Sequence, residues 1–112
     1  METVKIGVNE LRQYYKTQTL YFHDSHILSF DYSDDNAIFV FEKYDRSIIK
    51  LKFESITKIE YRKGDSNEID FRNRILDIDI KPDNNNLFIS ILMFNMSFID
   101  IYCTNIILIQ NY

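Results

Sequence analysis

The chain contains little of what small domains commonly use for crosslinks, tight turns and phosphate binding. Its 112 residues include one cysteine, one proline, two glycines and no tryptophan. A single cysteine excludes an internal disulfide, and proteins of a reducing compartment typically lack disulfides. Two glycines exclude a glycine-rich phosphate loop. Asp and Asn must therefore make most of the turns, because these residues tolerate a left-handed backbone.

Long apolar runs and an excess of positive charge are also absent. No apolar stretch is long enough to cross a bilayer, and the start, Met-Glu-Thr-Val-Lys-Ile-Gly, lacks the basic and apolar regions of a signal peptide. We therefore expect a cytoplasmic protein with no membrane partner. The net charge of −4 argues against binding to nucleic acid. With 46% hydrophobic residues, the chain is expected to fold as one domain over residues 1–112.

What the chain does contain is an internal repeat. The phrase Ile27-Leu28-x-Phe30-Asp31-Tyr32 returns 48 positions later as Ile75-Leu76-x-Ile78-Asp79-Ile80, and Asp35-Asn36 returns as Asp83-Asn84. Further on, Ile49-x-Leu51-x-Phe53 returns 50 positions later as Ile99-x-Ile101-x-Cys103. This pattern predicts two similar β units, residues 27–61 and 75–110. A meander rich in isoleucine also aligns with itself, so a common origin of the units stays open.

The predicted fold is mainly β, with two similar antiparallel four-stranded units that form a sandwich or a partly open barrel. Alternating apolar residues between Asp- and Asn-rich turns mark the strands. The expected strands are Val4–Ile6, His26–Tyr32, Ala37–Glu42, Ser47–Phe53, Ile56–Arg62, Arg74–Lys81, Leu87–Phe94, Phe98–Cys103 and Asn105–Gln110. Two of them, Ala37 to Phe41 and Leu87 to Phe94, are apolar on both faces and are therefore predicted to be central.

Alternation also assigns the faces of the strands. Leu28, Phe30 and Tyr32 share one face, which we expect to be dry, and Ser29 and Asp31 face water. Before the first unit, Asn9 is suited to cap a short N-terminal helix over Glu10 to Lys16 that docks on the sheets.

Few residues suggest metal binding or catalysis. His23, Asp24 and His26 could hold a metal if their segment turns, but in a strand the two histidines would point to opposite faces. Neither a distant histidine nor a second cysteine completes such a site, so we expect no cofactor. The chain lacks a Gly-x-Ser-x-Gly elbow, and Cys103 occupies an inward position. We therefore expect a protein that is not an enzyme.

One short motif resembles a known family. The phrase Phe22-His23-Asp24-Ser25-x-Ile27, followed by the strand pattern Ile49-x-Leu51-x-Phe53-x-x-Ile56, is similar to small bacterial β proteins grouped with immunity proteins of polymorphic toxin systems, specifically immunity protein family 50. The resemblance extends over about residues 20 to 110. It implies a cytoplasmic immunity protein that neutralises a cognate toxin by occlusion, with no catalytic residue.

Acidic turns and exposed tyrosines are the expected contact residues for such a partner. Tyrosine is a frequent interface anchor, and acidic side chains would attract a basic toxin domain. The candidate partner-binding residues are Asp34, Asp35, Tyr44, Asp45 and Asp83. Two alternatives stay open: a small metal-binding protein or enzyme centred on His23, Asp24 and His26, and a structural homo-oligomeric module that uses an exposed edge strand.

Overall fold

The computed structural model describes residues 2–11, 22, 24–62, 75–93 and 97–110, and within these ranges it is mainly β. Nine strands lie in this part of the chain: β1 (Glu2–Ile6), β2 (His26–Ser33), β3 (Asn36–Glu42), β4 (Ile48–Glu54), β5 (Lys58–Arg62), β6 (Ile75–Asp83), β7 (Asn86–Met93), β8 (Phe98–Cys103) and β9 (Asn105–Gln110). The predicted strands are confirmed within a few residues at each end. No helix element, and hence none that could cross a membrane, lies in these ranges. Of the helix expected over Glu10 to Lys16, only Glu10 and Leu11 lie within the described residues.

The strands form two antiparallel sheets that exchange one strand each. The five-stranded sheet has the order β1-β9-β4-β3-β2, and the four-stranded sheet has the order β5-β8-β7-β6. Each repeat unit therefore contributes three strands to one sheet and its fourth strand, β5 or β9, to the other. As predicted, β3 and β7 have a neighbour on both sides. The sheets do not coincide with the two expected four-stranded units, because short connections after β4 and β8 direct the chain into the opposite sheet.

The central pairs of the two sheets have the same register. Ala37 lies opposite Phe53 in the first sheet, and 50 positions later Leu87 lies opposite Cys103 in the second. All four side chains are buried. Each pair places a small residue opposite a larger one. The larger residue is Phe53 on β4 in the first sheet and Leu87 on β7 in the second, so the two sites fill similar volumes with different residues.

The outer hairpins share two further details. Leu28 is the extra residue of a bulge in β2, and Leu76 takes that place in β6. Each hairpin turns through two residues, and the first of them, Asp34 or Asn84, has φ of 56°. The bulge in β6 lies 48 positions after the bulge in β2, whereas the β6–β7 turn lies 50 positions after the β2–β3 turn. Each arm of the β6–β7 hairpin, from bulge to turn, is therefore two residues longer than the corresponding arm of the β2–β3 hairpin. The match of Asp35-Asn36 with Asp83-Asn84 was therefore wrong, since the counterpart of Asp34 is Asn84.

Both sheets contribute to one hydrophobic core. Its largest side chains include Phe22, Phe39, Phe41 and Phe53, and the rings of Phe39 and Phe53 meet edge to face with centroids 5.5 Å apart. The sheets are also joined at one corner, where Ile75 N–H donates to the Ser25 carbonyl at 2.7 Å. The start of β2 is thus fixed against the start of β6.

One face assignment was wrong. Leu28, Phe30 and Tyr32 were expected to be dry, but 52%, 52% and 51% of these residues is exposed. The bulge interrupts the alternation of β2, so that Ile27 and Phe30 rather than Leu28 and Phe30 lie opposite the buried Phe41 and Phe39. Edge position alone does not expose a strand, because β6 is also an edge strand and buries Ile78 and Ile80.

A candidate protein-binding surface on strand β2

Two exposed aromatic residues of β2, Phe30 and Tyr32, form a surface that we call the β2 strip. Phe30 lies opposite Phe39 on β3, and the two ring centroids are 4.5 Å apart. Phe39 is buried, so Phe30 points to the core side of its sheet. The strip is therefore a continuation of the core that lies open to solvent.

The repeat provides a buried counterpart for this surface. Phe30 faces Phe39 in β3 as Ile80 faces Ile89 in β7, and only 3% of Ile80 is exposed. Ile78 of the same strand is equally buried. Phe30 is thus uncovered at a position whose counterpart in β6, Ile80, is covered.

Among the four edge strands of the described sheets, β2 is also the one without a lysine, an arginine or a proline. These residues protect an edge against further strand pairing, and proline does so by removing a backbone donor. The protective features of β2 are its bulge and Asp31. Strand β1 carries Lys5, β5 carries Lys58 and Arg62, and β6 carries Lys81 and Pro82. Strand β2 carries neither proline nor a lysine or arginine, and the counterpart of Pro82 is Tyr32.

Acidic side chains border the strip. Asp31 projects from β2, Asp34 and Asp35 form the adjoining turn, and all three residues are exposed. None of their carboxylates forms an ion pair with a residue that the structure describes. The turn itself is held in place, because Ile56 N–H donates to the Asp35 carbonyl at 2.7 Å. This end of the sheet combines apolar side chains with acidic ones that no described residue pairs.

Tyr44 and Asp45 lie at the other end of the same sheet. They belong to the β3–β4 turn, and seven residues of β3 separate them from the acidic turn, a distance of roughly 20 Å at about 3.3 Å per residue. Tyr44 is 82% exposed. The Asp45 Oδ1 accepts hydrogen bonds from the Ser47 N–H and hydroxyl at 3.0 and 2.6 Å. These bonds, the hydroxyl first, lower the pKa of Asp45 below its usual value of 3.8.

Asp83, the fifth predicted contact residue, ends β6 and lies next to the β6–β7 turn of the other sheet. The predicted contact residues therefore occupy three separate turns. Only Asp34 and Asp35 adjoin the β2 strip.

The alternative metal site lies partly outside the described residues, because His23 is not among them. Asp24 precedes β2 with φ of 62°, and His26 is its first residue. Over the described ranges, no group of three His, Cys, Asp or Glu side chains is arranged to hold a metal ion.

The fold has a relative among solved structures. The chain is similar to an uncharacterized protein from Neisseria gonorrhoeae, whose crystal structure superimposes with a TM-score of 0.60 over 95% of each chain at 15% identity. At that identity the likeness establishes the fold alone. No protein-family model and no curated protein matches the chain.

Two features of the surface were missed by sequence reasoning. The exposure of the β2 strip leaves no signal in the alternation, since a covered strand would carry the same residues. Asp100 has no distinguishing pattern in the sequence, and it is only 4% exposed on β8. It accepts hydrogen bonds from Arg62 Nε at 2.8 Å and Ser90 Oγ at 2.7 Å. The partners satisfy this carboxylate, so its role in the four-stranded sheet is structural.

Proposed function

We propose that the chain is a cytoplasmic, non-enzymatic protein-binding module built as a β-sandwich, and most concretely an immunity protein that occludes a cognate toxin. One observation carries this proposal: Phe30 and Tyr32 are exposed on an edge strand that carries no lysine, arginine or proline, while Ile80, the counterpart of Phe30, is buried. Exposed apolar patches with a polar rim are typical of protein interfaces. Phe30 and Tyr32 are suited to be the anchors, because aromatic side chains bury a large area at little entropic cost.

The acidic rim supports a basic partner. Asp31, Asp34 and Asp35 have no compensating cation among the described residues, so their field attracts a positively charged surface. Such charges mainly raise the association rate, whereas the buried aromatic contacts slow dissociation. A toxin whose cleft binds an anionic substrate would present the complementary charge. Occlusion then needs contact alone and no catalytic residue.

The proposal is tested by affinity capture with the tagged protein from a lysate of its own source, followed by mass spectrometry. Phe30→Ser removes an anchor of the β2 strip, and Tyr61→Ser removes an exposed aromatic side chain from β5 of the other sheet as the matched control. We expect a stoichiometric partner that Phe30→Ser retains at least tenfold less than wild type and that Tyr61→Ser retains fully.

Circular dichroism and thermal unfolding verify that both variants are folded. Equal capture by wild type and Phe30→Ser would contradict the assignment of the β2 strip. A captured partner without a toxin domain would retain the binding function and reject the immunity role.

A further inference from the structure

We propose that β2 binds its partner by strand addition, so that an extended basic segment of the partner becomes the sixth strand of the five-stranded sheet. This inference rests on the proposed function and specifies how the β2 strip is used. Backbone hydrogen bonds to an edge strand and pockets for alternate side chains are together a known mode of peptide recognition.

The backbone of β2 is oriented for such pairing. In a hairpin with a two-residue turn, the flanking residues Ser33 and Asn36 bond to each other, and bonded pairs then recur at every second position. Asp31 and Ser29 accordingly bond to β3. The N–H and C=O groups of Phe30 and Tyr32 point away from β3, towards the edge at which no further strand of the described residues pairs. The residues with outward backbone groups are thus the same residues whose side chains form the strip.

The two faces of β2 define the sequence of the added strand. On the core side, its side chains would pack beside Phe30 and Tyr32 and should be apolar. On the other side they would lie beside Ser29, Asp31 and Ser33, where a lysine or arginine could reach the Asp31 carboxylate. Because side chains alternate along a strand, the fitting partner segment alternates apolar and basic residues.

A second copy of the chain is a poorer occupant. Pairing of two β2 strands would bring Asp31, Asp34 and Asp35 of both copies to one seam. Neither β2 carries a lysine or arginine to neutralise them. Like charges across a strand pair are destabilising, so the charge pattern favours a basic segment.

The first test uses a defined probe, the blocked peptide Lys-Val-Lys-Val-Lys-Val-Lys, titrated into isotope-labelled protein and followed by NMR. Two control peptides replace lysine with glutamate or carry N-methyl groups on alternate amides. We expect the largest shift changes in β2, slower amide exchange at Phe30 and Tyr32, and at least tenfold weaker binding of both controls. No binding, equal binding of a control, or shifts confined to another strand would overturn the proposal.

The second test removes one outward donor. Tyr32→Pro eliminates the N–H at the position where β6 already holds Pro82, so the repeat itself indicates that the fold accepts proline there. Tyr32→Val removes the same ring but keeps the N–H. We expect Tyr32→Pro to bind the lysine peptide at least tenfold more weakly than Tyr32→Val, with thermal unfolding as the check on folding. Equal affinities of the two variants would overturn strand addition.

The two proposals can fail separately. If Phe30→Ser loses the captured partner but Tyr32→Pro retains it as well as Tyr32→Val, the β2 strip binds through side chains and strand addition is wrong. If sedimentation equilibrium of the free protein shows a dimer that Tyr32→Pro abolishes, the occupant is a second copy and the basic segment is rejected. If capture does not depend on Phe30, the proposed function itself fails.

Discussion

At the scale of single residues, Cys103 shows how burial decides reactivity. Desolvation raises the pKa of the Cys103 thiol to about 12, so the unreactive protonated form dominates throughout the neutral range. We expect a thiol reagent to modify the folded protein at pH 8 at least tenfold more slowly than the urea-unfolded protein. Rapid modification of the folded protein at the unfolded rate would contradict the inert role.

Asp45 offers a test at low pH. Its folded pKa is lowered, chiefly by the Ser47 hydroxyl, so the bonded turn is stabilised above pH 3.8 and loses this contribution as pH falls through the lowered value. Ser47→Ala should shift the Asp45 midpoint up towards 3.8, as measured by carbon NMR of the carboxyl group. Ser47→Thr keeps a hydroxyl and should preserve the low midpoint. A midpoint that does not respond to Ser47→Ala would reject the assigned cause.

Left-handed backbone conformations were only partly predictable at this scale. Asp34 and Asn84 adopt φ of 56°, as expected for turns in a chain with two glycines. Arg46 and Ser55 also have positive φ, at 70° and 56°, and their residue types gave no indication of it. Hydrogen bonds hold them there, one local and one across the sheet: Arg46 N–H donates to the Lys43 carbonyl at 2.8 Å, and Ser55 N–H donates to Asn36 Oδ1, 19 residues earlier, at 3.3 Å.

At the scale of the strand, stability should separate covered phenylalanines from those of the β2 strip. Phe53 is fully buried, so Phe53→Ala is expected to lower the free energy of unfolding by about 3–5 kcal/mol. Phe30→Ala removes a half-exposed ring and should lower it by about 1 kcal/mol, mainly through the lost contact with Phe39. Urea unfolding measures both values. A loss at Phe30 as large as that at Phe53 would mean that the strip serves the fold rather than a partner.

The strands were predictable and their neighbours were not. Alternation located β2 to β9 because each side chain's face follows from position within the strand. Whether a face is covered depends on the opposite sheet, which no local pattern encodes. Phe30 and Ile80 illustrate this, because both occupy apolar positions of the same repeat and only Ile80 is buried.

At the scale of the whole molecule, exchange of β5 and β9 should make folding cooperative. Each sheet contains a strand from the other repeat unit, so neither unit can bury its apolar face alone. We expect one unfolding transition in urea, with coincident midpoints by tyrosine fluorescence and circular dichroism, in wild type and in Leu108→Ala of β9. Two resolved transitions, or loss of only the five-stranded sheet in Leu108→Ala, would contradict this coupling.

The sequence by itself determined the β class, the positions of the strands and the use of Asp and Asn in the turns. These features follow from local backbone preference and from the period-two pattern of apolar residues. Only the tertiary structure decided that the fourth strands are exchanged and that the β2 strip is exposed. Each of these depends on which elements meet in space, and contacts between residues far apart in the chain leave no local trace in the amino-acid pattern.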